Sequence, residues 1–450
     1  MTERLLFLLE YQGNSRIFVF GRIEHMIKEY KARIADRLLA RKLAGKGAVL
    51  IEGAKWCGKT TTAEQIAGSV LYMTEPGRLE QNRQLARISP SLLLSGEKPR
   101  LIDEWQVAPA LWDSIRFEAD HSDQLGLFIL TGSSVPADMR EVVHSGTGRI
   151  GWLRMRPMSL WESGDSTGEV SLGALFQSPQ SICGNSTDDL KKIAFLTCRG
   201  GWPQAVKMEA EIALDQAFDY IDAIEKRDIS QVDGVSRDAS RVHRLLRSYA
   251  RHQGAQSSYS TIKADLLANE SDSFDQDTIA SYISALKKIF VIEDSEAWNP
   301  NLRSKSAIRS ADTHYFTDPS IATAALGLGP SDLLDDLNTF GLIFETLCIR
   351  DLRVYAEALG GKVYHFRDRN GLECDAVIHL RNGAFGLVEV KLGGDKLIEE
   401  GAAALKSLAD KIDAGRMHRP SFLIVLTAIG PYAYRREDGV YVVPVTCLKD

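Results

Sequence analysis

The alternation of apolar and polar positions predicts an α/β fold with a parallel sheet in the first half of the chain. Apolar residues recur at helical spacing over 29–45, and the apolar strand Ala48–Ile51 and a helix over 58–68 follow. Two further apolar runs, Arg100–Ile102 and Leu125–Leu130, each end in polar residues. Strands that alternate with helices in this way favour a parallel sheet covered by helices.

The pattern changes in the middle of the chain. Residues 163–185 are rich in Ser and Gly and predict a loop or insertion, and residues 188–230 have mainly helical spacing. Between residues 235 and 325, three short helices precede a strand over 290–293 and a polar, hairpin-like stretch over 299–309. Three helices followed by a two-stranded wing predict the winged form of the helix-turn-helix.

The last part of the chain predicts a second α/β unit. A helix over 338–355 opens this unit, and a second helix over 398–412 lies between its third and fourth strands. The predicted strands cover residues 362–367, 374–380, 386–390, 421–426 and 440–445.

Composition and charge exclude several classes of protein. The 450 residues are 44% hydrophobic and 25% charged, which indicates a folded chain of two to four domains. The net charge of -6 leaves no globally basic surface for nucleic acid, although a local basic patch stays open. The six cysteines contain no CxxC pair, so neither a zinc site nor a disulfide framework is expected. No apolar run approaches the roughly 20 residues that span a bilayer, so we expect a cytoplasmic protein without a membrane segment.

The strongest chemical motif follows the first apolar strand. The sequence GAKWCGKT over 53–60 fits the P-loop pattern G-x-x-x-x-G-K-[ST]. Its glycines let the backbone wrap closely around phosphates, and its N–H groups face the anion. Lys59 is expected to contact the β- and γ-phosphates of ATP, and Thr60 to ligate Mg²⁺. The expected ATP-binding residues are Gly53, Ala54, Lys55, Trp56, Cys57, Gly58, Lys59, Thr60 and Thr61.

Polar residues at the ends of the next two strands fit the same chemistry. Asp103 and Glu104 end the strand over 100–102, and we expect Asp103 to hold magnesium and Glu104 to act as the catalytic base. Ser133 ends the run over 128–133 and is expected to hydrogen-bond the γ-phosphate or the attacking water.

Two arginines further along leave different interpretations open. Arg149 is expected to contact the γ-phosphate of its own site or of a neighbouring copy, and a structural ion pair is the alternative. The adjacent Arg227 and Asp228 predict an ion pair in helix packing.

These motifs together resemble those of AAA+ superfamily ATPases. The resemblance rests on Gly53–Thr60, Leu101–Trp105, Leu130–Ser133 and Gly148–Glu162. More closely, the chain from about residue 29 resembles a large prokaryotic family in which an ATPase precedes a winged-helix segment and a C-terminal domain of unknown function. Because AAA+ ATPases often work as rings, the resemblance leaves a homo-oligomer open.

The predicted winged helix offers a candidate DNA-binding surface. The helix over 277–288 is expected to be the recognition helix, because basic side chains meet phosphates while Ser and Tyr reach base edges. A winged helix used for protein packing or for regulation of the ATPase is the alternative. The candidate contacts are Ser281, Tyr282, Ser284, Lys287 and Lys288 on the helix, and Arg303, Lys305 and Arg309 in or near the wing.

The last part of the chain carries a second candidate metal site. Glu389 and Lys391 lie two positions apart in one strand and therefore point to the same side, and Asp375 joins them if its strand pairs beside theirs. Two carboxylates suit Mg²⁺, and a lysine beside them can position a nucleophilic water. Glu345 on the preceding helix could complete the set.

This set resembles the core of PD-(D/E)XK nucleases, which has a helix acid, a strand Asp and a Glu-x-Lys motif. The sequence departs from that pattern because no proline precedes Asp375, and Glu373 is a rival acid on the same strand face. A degenerate domain that keeps only a salt bridge is the alternative.

The sequence therefore predicts four segments: an N-terminal extension over 1–28, an AAA+ ATPase domain with a helical lid over 29–230, a winged helix over 231–330 and a nuclease-like domain over 331–450. We expect ATP hydrolysis to be coupled to DNA binding or cleavage. One alternative is a nucleotide-switched regulator that binds DNA or a protein partner, such as a toxin/antitoxin-like regulator. A protein-remodelling factor that does not act on nucleic acid is another.

Overall fold

The computed structural model describes residues 30–134, 146–177, 182–269, 275–299, 311–412 and 418–450. The predicted extension over 1–28 and the wing residues Arg303, Lys305 and Arg309 lie outside the described residues. The chain divides after Ala32, and residues 33–450 form one unit.

The first part of this unit contains a five-stranded sheet in the order β2-β3-β4-β1-β5, in which all neighbouring strands are parallel. The predicted parallel α/β fold is therefore confirmed here. The sequence did not reveal β2, whose residues are only partly buried at the sheet edge, or the two helices after it. The elements are α1 (Ile34–Leu43), β1 (Ala48–Glu52), α2 (Lys59–Glu64), β2 (Ser69–Tyr72), α3 (Leu79–Ile88), α4 (Pro90–Leu94), β3 (Arg100–Asp103), α5 (Leu111–His121), β4 (Phe128–Gly132) and β5 (Ile150–Arg154).

The middle part is mainly helical. Three helices lie where the sequence predicts them, but the predicted strand over 290–293 is reduced to isolated antiparallel bridges, one between Ile292 and Phe316 and one between Ser295 and Thr313. The elements are α6 (Leu160–Ser163), β6 (Val170–Ser171), α7 (Leu172–Gln177), β7 (Gly184–Asn185), α8 (Leu190–Arg199), α9 (Ala210–Ala223), a π-helical turn (Ile224–Asp228), α10 (Ile229–Gln231), α11 (Ala239–Arg251), α12 (Tyr259–Asn269), α13 (Gln276–Lys288), α14 (Pro319–Leu326) and α15 (Pro330–Asp335).

A seven-stranded sheet in the order β7-β12-β13-β11-β10-β9-β8 forms the last part. Strands β8, β9 and β10 are antiparallel neighbours, and α17 crosses over to β11, which lies parallel to β10. Buried residues alternate between the two faces: Ala376 and Val388 pack in the core with α16, and Val377 and Leu387 in the core with α17. The elements are α16 (Leu337–Ala358), β8 (Gly361–Arg367), β9 (Glu373–Leu380), β10 (Phe385–Lys391), α17 (Asp395–Lys411), β11 (Leu423–Thr427), β12 (Tyr432–Arg435), β13 (Tyr441–Pro444) and β14 (Leu448–Lys449).

The Ser/Gly-rich stretch over 163–185 is not merely a loop, and that prediction was wrong in part. Strand β6 pairs in parallel with β14, and β7 adds to the seven-stranded sheet beside β12. Strands of two residues are too short to give a periodic signal in the sequence, and their partners lie more than 200 positions away.

A fully buried arginine ties several of these segments together. The Arg350 guanidinium, on α16, donates from Nη1 to Asp318 Oδ2 at 2.9 Å and from Nε to Asp351 Oδ1 at 2.9 Å. Backbone groups continue the network, because Asp318 Oδ2 also accepts from the N–H of Gly201 and Asp351 Oδ2 accepts from the N–H of Leu160, each at 2.9 Å. The cluster therefore links the first part of this unit, the helical middle part and α16.

Within the described residues, no helix combines the length and the apolar content that crossing a membrane requires.

Asp294 gives a measurable pH dependence to the middle part. Burial disfavours its charged form, but His314 Nδ1 at 3.3 Å and Lys287 Nζ at 2.6 Å outweigh it and lower the pKa of Asp294 to about 2. Because the pKa of Asp294 is lower in the folded state than its value near 4 in the unfolded state, the charged carboxylate stabilises the folded protein above about pH 4. This stabilisation is lost as the pH falls toward 2.

We therefore expect Asp294 to contribute about 2 kcal/mol that wild type loses between pH 5 and pH 2. Thermal unfolding at a series of pH values should show a shallower acid-side fall in Tm for Asp294→Asn than for wild type. Asp335→Asn removes an exposed carboxylate at the end of α15 and serves as the control. Equal slopes for wild type and Asp294→Asn would contradict the assignment.

Candidate functional site

The P-loop lies between β1 and α2 and has the close backbone contacts that explain its glycines. A Cβ at Gly53 would lie 2.0 Å from the carbonyl oxygen of Met155, so no other residue fits there without a shift. Gly58 has φ +101°, which only glycine adopts without strain. Trp56 also has positive φ and is 47% exposed, which places its ring at the surface of the loop.

The remaining loop residues divide into buried and exposed ones. Ala54 and Cys57 are buried, and Thr61 at the start of α2 is exposed. Lys59 is also buried, and its Nζ donates to the carbonyl oxygens of Gly53 at 2.9 Å and Ala54 at 2.8 Å. The P-loop backbone therefore binds the ammonium group of Lys59 on its inner side, where the predicted phosphate contact would be made.

Asp103 brings together the residues expected to hold magnesium. Its Oδ1 accepts from Thr60 Oγ1 at 2.6 Å and from Thr131 Oγ1 at 2.6 Å. A hydroxyl and a carboxylate are hard oxygen ligands of the kind that Mg²⁺ takes beside a bound triphosphate. These side chains therefore fit a magnesium ion, and Thr131 adds a contact that the sequence did not single out.

Glu104 follows directly and lies at the same edge of the sheet. Its backbone is left-handed, with φ +57°, and its Oε2 accepts from Ser133 Oγ at 3.0 Å. A second hydrogen bond reaches the same oxygen from Gln106 Nε2. The structure thus joins the predicted Glu104 and Ser133, and it adds Gln106, which the sequence analysis missed.

Arg149 lies at the edge of the sheet formed by the amino ends of the strands, opposite the edge that carries the P-loop. It precedes β5, and its carbonyl oxygen accepts from the N–H groups of Gly47 and Ala48 at the start of β1. The five residues of β1 separate this edge from the P-loop by roughly 16 Å, so a contact with the γ-phosphate of its own site is excluded. The Arg149 side chain instead pairs with Asp120 at 2.5 Å and is half-exposed, so the contact with a neighbouring copy remains a prediction.

The helical middle part closes over the P-loop. Asp228, in the π-helical turn, pairs with Lys55 of the P-loop at 2.6 Å, so the predicted pair of Arg227 with Asp228 is wrong. The ring of Trp56 lies 5.3 Å from that of Tyr220 on α9. Between these parts lies a cavity of about 710 Å³, whose lining includes Lys55, Glu104, Gln106, Ser133, Tyr220 and Asp228.

On the predicted recognition helix α13, one candidate DNA contact is buried and another is held in an ion pair. Tyr282 lies on its buried stripe with Ile279, Ile283 and Leu286, so it is not available to DNA. Lys287 is held by Asp294 at 2.6 Å. Of the candidates on this helix, the exposed ones are Ser281, Ser284, Lys287 and Lys288.

The second candidate site lies where β9 and β10 separate. Their ladder pairs Ala376 with Val388, and beyond that pair Asp375 Oδ2 accepts from the backbone N–H of Val390 at 2.8 Å. Lys391 Nζ lies 2.7 Å from Glu389 Oε2 and 3.7 Å from Asp375 Oδ2. The predicted Asp375, Glu389 and Lys391 are therefore in contact.

Glu345 reaches the same site from α16. Burial and the nearby Asp375 raise its pKa well above the usual range, and the phenol of Tyr315 donates a hydrogen bond to its Oε1. Burial and Asp375 also raise the pKa of Glu389 to about 8. The rival Glu373 is about half-exposed and pairs with Arg367 at 3.0 Å, so Asp375 is the strand acid that lies at the site.

The fit of a metal ion to this second site is partial. Across the described ranges, no group of three or more His, Cys, Asp or Glu side chains is placed to hold a metal. The ammonium of Lys391 occupies the space between the two strand carboxylates. A divalent cation bound by Asp375 and Glu389 would therefore displace Lys391 from that position.

The parallel sheet and the P-loop with its strand-end acids have the arrangement of a P-loop ATPase-like domain. Residues 45–163 match the family model described as AAA domain, so this part of the chain is similar to AAA-type domains. Residues 190–332 match a domain of unknown function (DUF8612), and residues 340–448 match a domain of unknown function (DUF4143).

Three solved structures are partly similar. The Walker-type ATPase of Pyrococcus abyssi is 15% identical, with a TM-score of 0.41 over 66% of this chain and 97% of that chain. A RuvB variant of Thermotoga maritima is 16% identical, with a TM-score of 0.22 over 58% of this chain and 87% of that chain. Cdc6p of Pyrobaculum aerophilum is 15% identical, with a TM-score of 0.23 over 74% and 97%. Among curated proteins, none matches this sequence.

The contact between Lys55 and Asp228 leads to a prediction about nucleotide affinity. Bound phosphates would bring negative charge into the cavity that Asp228 lines, and they would compete for Lys55. We therefore expect Asp228→Asn to bind ATP roughly tenfold more tightly, as measured with a fluorescent ATP analogue. The control Asp222→Asn removes an exposed acid that pairs with Lys226 on the surface, and it should bind as wild type does. An unchanged or weaker affinity of Asp228→Asn would refute the competition.

Proposed function

We propose that this protein hydrolyses ATP with Mg²⁺ at the P-loop. The observation that carries the proposal is the contact of Thr60 with Asp103, directly beside Glu104 with its carboxylate oriented by Ser133. Thr60 and Asp103 would hold the magnesium ion, Lys59 the phosphates, and Glu104 would take the proton of the attacking water. The ion supplies charge neutralisation at the β- and γ-phosphates.

Removal of the P-loop lysine tests this activity. We expect Lys59→Ala to release phosphate from ATP at least about 100-fold more slowly than wild type in the presence of magnesium, because transition-state charge loses its ammonium. Lys46→Ala, which removes a lysine bound to the carbonyl of Gly148 outside the loop, is the control. Nucleotide binding by wild type without phosphate release would refute hydrolysis and indicate a switch.

We also propose that nucleotide state is coupled to nucleic-acid cleavage by the C-terminal part. Its order of one helix, three strands, a crossover helix and a parallel strand is the order expected for a PD-(D/E)XK-like core, and Glu345, Asp375, Glu389 and Lys391 lie at one site in it. If the middle part contacts DNA as a winged helix, the exposed Lys288 would meet phosphates.

Contacts that connect the two sites support this coupling. Arg154 pairs with Glu52, which precedes the P-loop, at 3.2 Å, and its guanidinium lies 4.1 Å from the ring of Phe290 after α13. Arg156 pairs with Glu293 at 2.6 Å and with Glu357 of α16 at 2.9 Å. A movement at the P-loop would therefore be transmitted through these contacts to α16, the helix that carries Glu345.

Cleavage can be tested separately from ATP hydrolysis. With linear duplex DNA and magnesium, we expect Glu389→Ala and Lys391→Ala to abolish cleavage while phosphate release from ATP stays near the wild-type rate. Glu373→Ala, which removes the half-exposed acid at the start of the neighbouring strand β9, should cleave as wild type does. Cleavage that persists in Glu389→Ala would assign it to another site or to a contaminant.

The second candidate function is a nucleotide-switched regulator with an inactive nuclease-like domain. The observation in its favour is Lys391, which lies between the two carboxylates that would hold the metal. DNA binding that weakens with salt, without cleavage, would support this alternative. A protein partner would be indicated if the protein did not cleave DNA and duplex DNA left its ATPase rate unchanged. The half-exposed Arg149 would then be the residue to test for a contact between copies of this chain.

A further inference from the structure

Gln106 lies in a short 3₁₀ turn, Trp105–Val107, that directly follows the strand-end acids. The Trp105 side chain is buried, with its ring 4.9 Å from that of Trp112, and it anchors the turn in the core. This anchoring turns the Gln106 side chain back toward Glu104. The Nε2 of Gln106 donates to Glu104 Oε2 and lies 3.5 Å from Ser133 Oγ.

The other end of the Gln106 amide is buried and has no hydrogen-bond partner among the described residues. Its Oε1 lies 3.1 Å from the place that a Cβ at Gly132 would occupy, so this glycine leaves room for the amide at the end of β4. Because a carboxylate only accepts hydrogen bonds, the amide must face Glu104 with its nitrogen. Among the described residues, the hydrogen bonds of this amide are therefore all made by its donor end.

We propose that Gln106 is a positioning residue for the catalytic base. It fixes Glu104 together with Ser133: both donors hold the single oxygen Oε2, and the second oxygen of the carboxylate is left to receive the proton of the attacking water. Glu104 itself has a left-handed backbone, directly after the end of β3. This inference rests on the proposed hydrolysis of ATP.

The test compares steady-state ATP hydrolysis of wild type, Gln106→Met, Glu104→Gln and the double variant. Methionine has nearly the length of glutamine but donates no hydrogen bond. We expect Gln106→Met to lower kcat roughly 10- to 100-fold while KM and the affinity for a fluorescent ATP analogue stay unchanged. Glu104→Gln should lower kcat by roughly 100-fold or more. Gln84→Met, at an exposed glutamine of α3, is the control with the wild-type rate.

The double variant separates positioning from a structural role. If Gln106 acts through Glu104, adding Gln106→Met to Glu104→Gln should change the rate by less than about twofold. A further loss of the size seen in the wild-type background, or a weaker affinity for the ATP analogue, would show that Gln106 supports the fold and would overturn the proposal. If Gln106→Met had the kcat of wild type, the proposed role of Gln106 would be overturned, but the proposed hydrolysis of ATP would not. A wild type that releases no phosphate would overturn both.

Discussion

The buried charge of Arg350 is the constraint on which the arrangement of this chain depends. A guanidinium that is 2% exposed must keep its carboxylate partners, since loss of one partner from such a cluster costs about 3–5 kcal/mol. Its partners are Asp318 before α14 and Asp351 on α16, and they in turn bind backbone N–H groups of Gly201 and Leu160. Segments up to 191 positions apart are thereby held to one geometry.

The same helix serves the second candidate site. Arg350 and Glu345 are both on α16, and Arg156 pairs with Glu357 near its end, closer to the surface. The interior cluster is fully buried, whereas the pairs of Arg156 and Arg154 line an open cleft. Movement between the ATPase part and the C-terminal part would therefore be easier at the outer pairs, with the Arg350 cluster as the fixed point.

Local patterns predicted that Thr60, Asp103 and Ser133 would lie at one edge of the sheet, because they follow strands whose carboxyl ends must meet in a parallel sheet. The position of Arg149 could not be predicted in this way, since it depends on which end of β5 lies beside the P-loop. The burial of Tyr282 was readable from the spacing of Ile279, Ile283 and Leu286. The pairs of Lys55 with Asp228 and of Tyr315 with Glu345 join distant segments, and neither has a local signal.

The two short strands β6 and β7 affect how the chain is assembled. They lie between the ATPase part and α8, yet their partners β14 and β12 come more than 200 residues later in synthesis. Until those partners leave the ribosome, both edges lack their hydrogen bonds, and closing a loop of this length is slow. A fragment that ends before residue 432 would carry the same open edges, so the segment over 170–185 completes its pairing only together with the C-terminal strands.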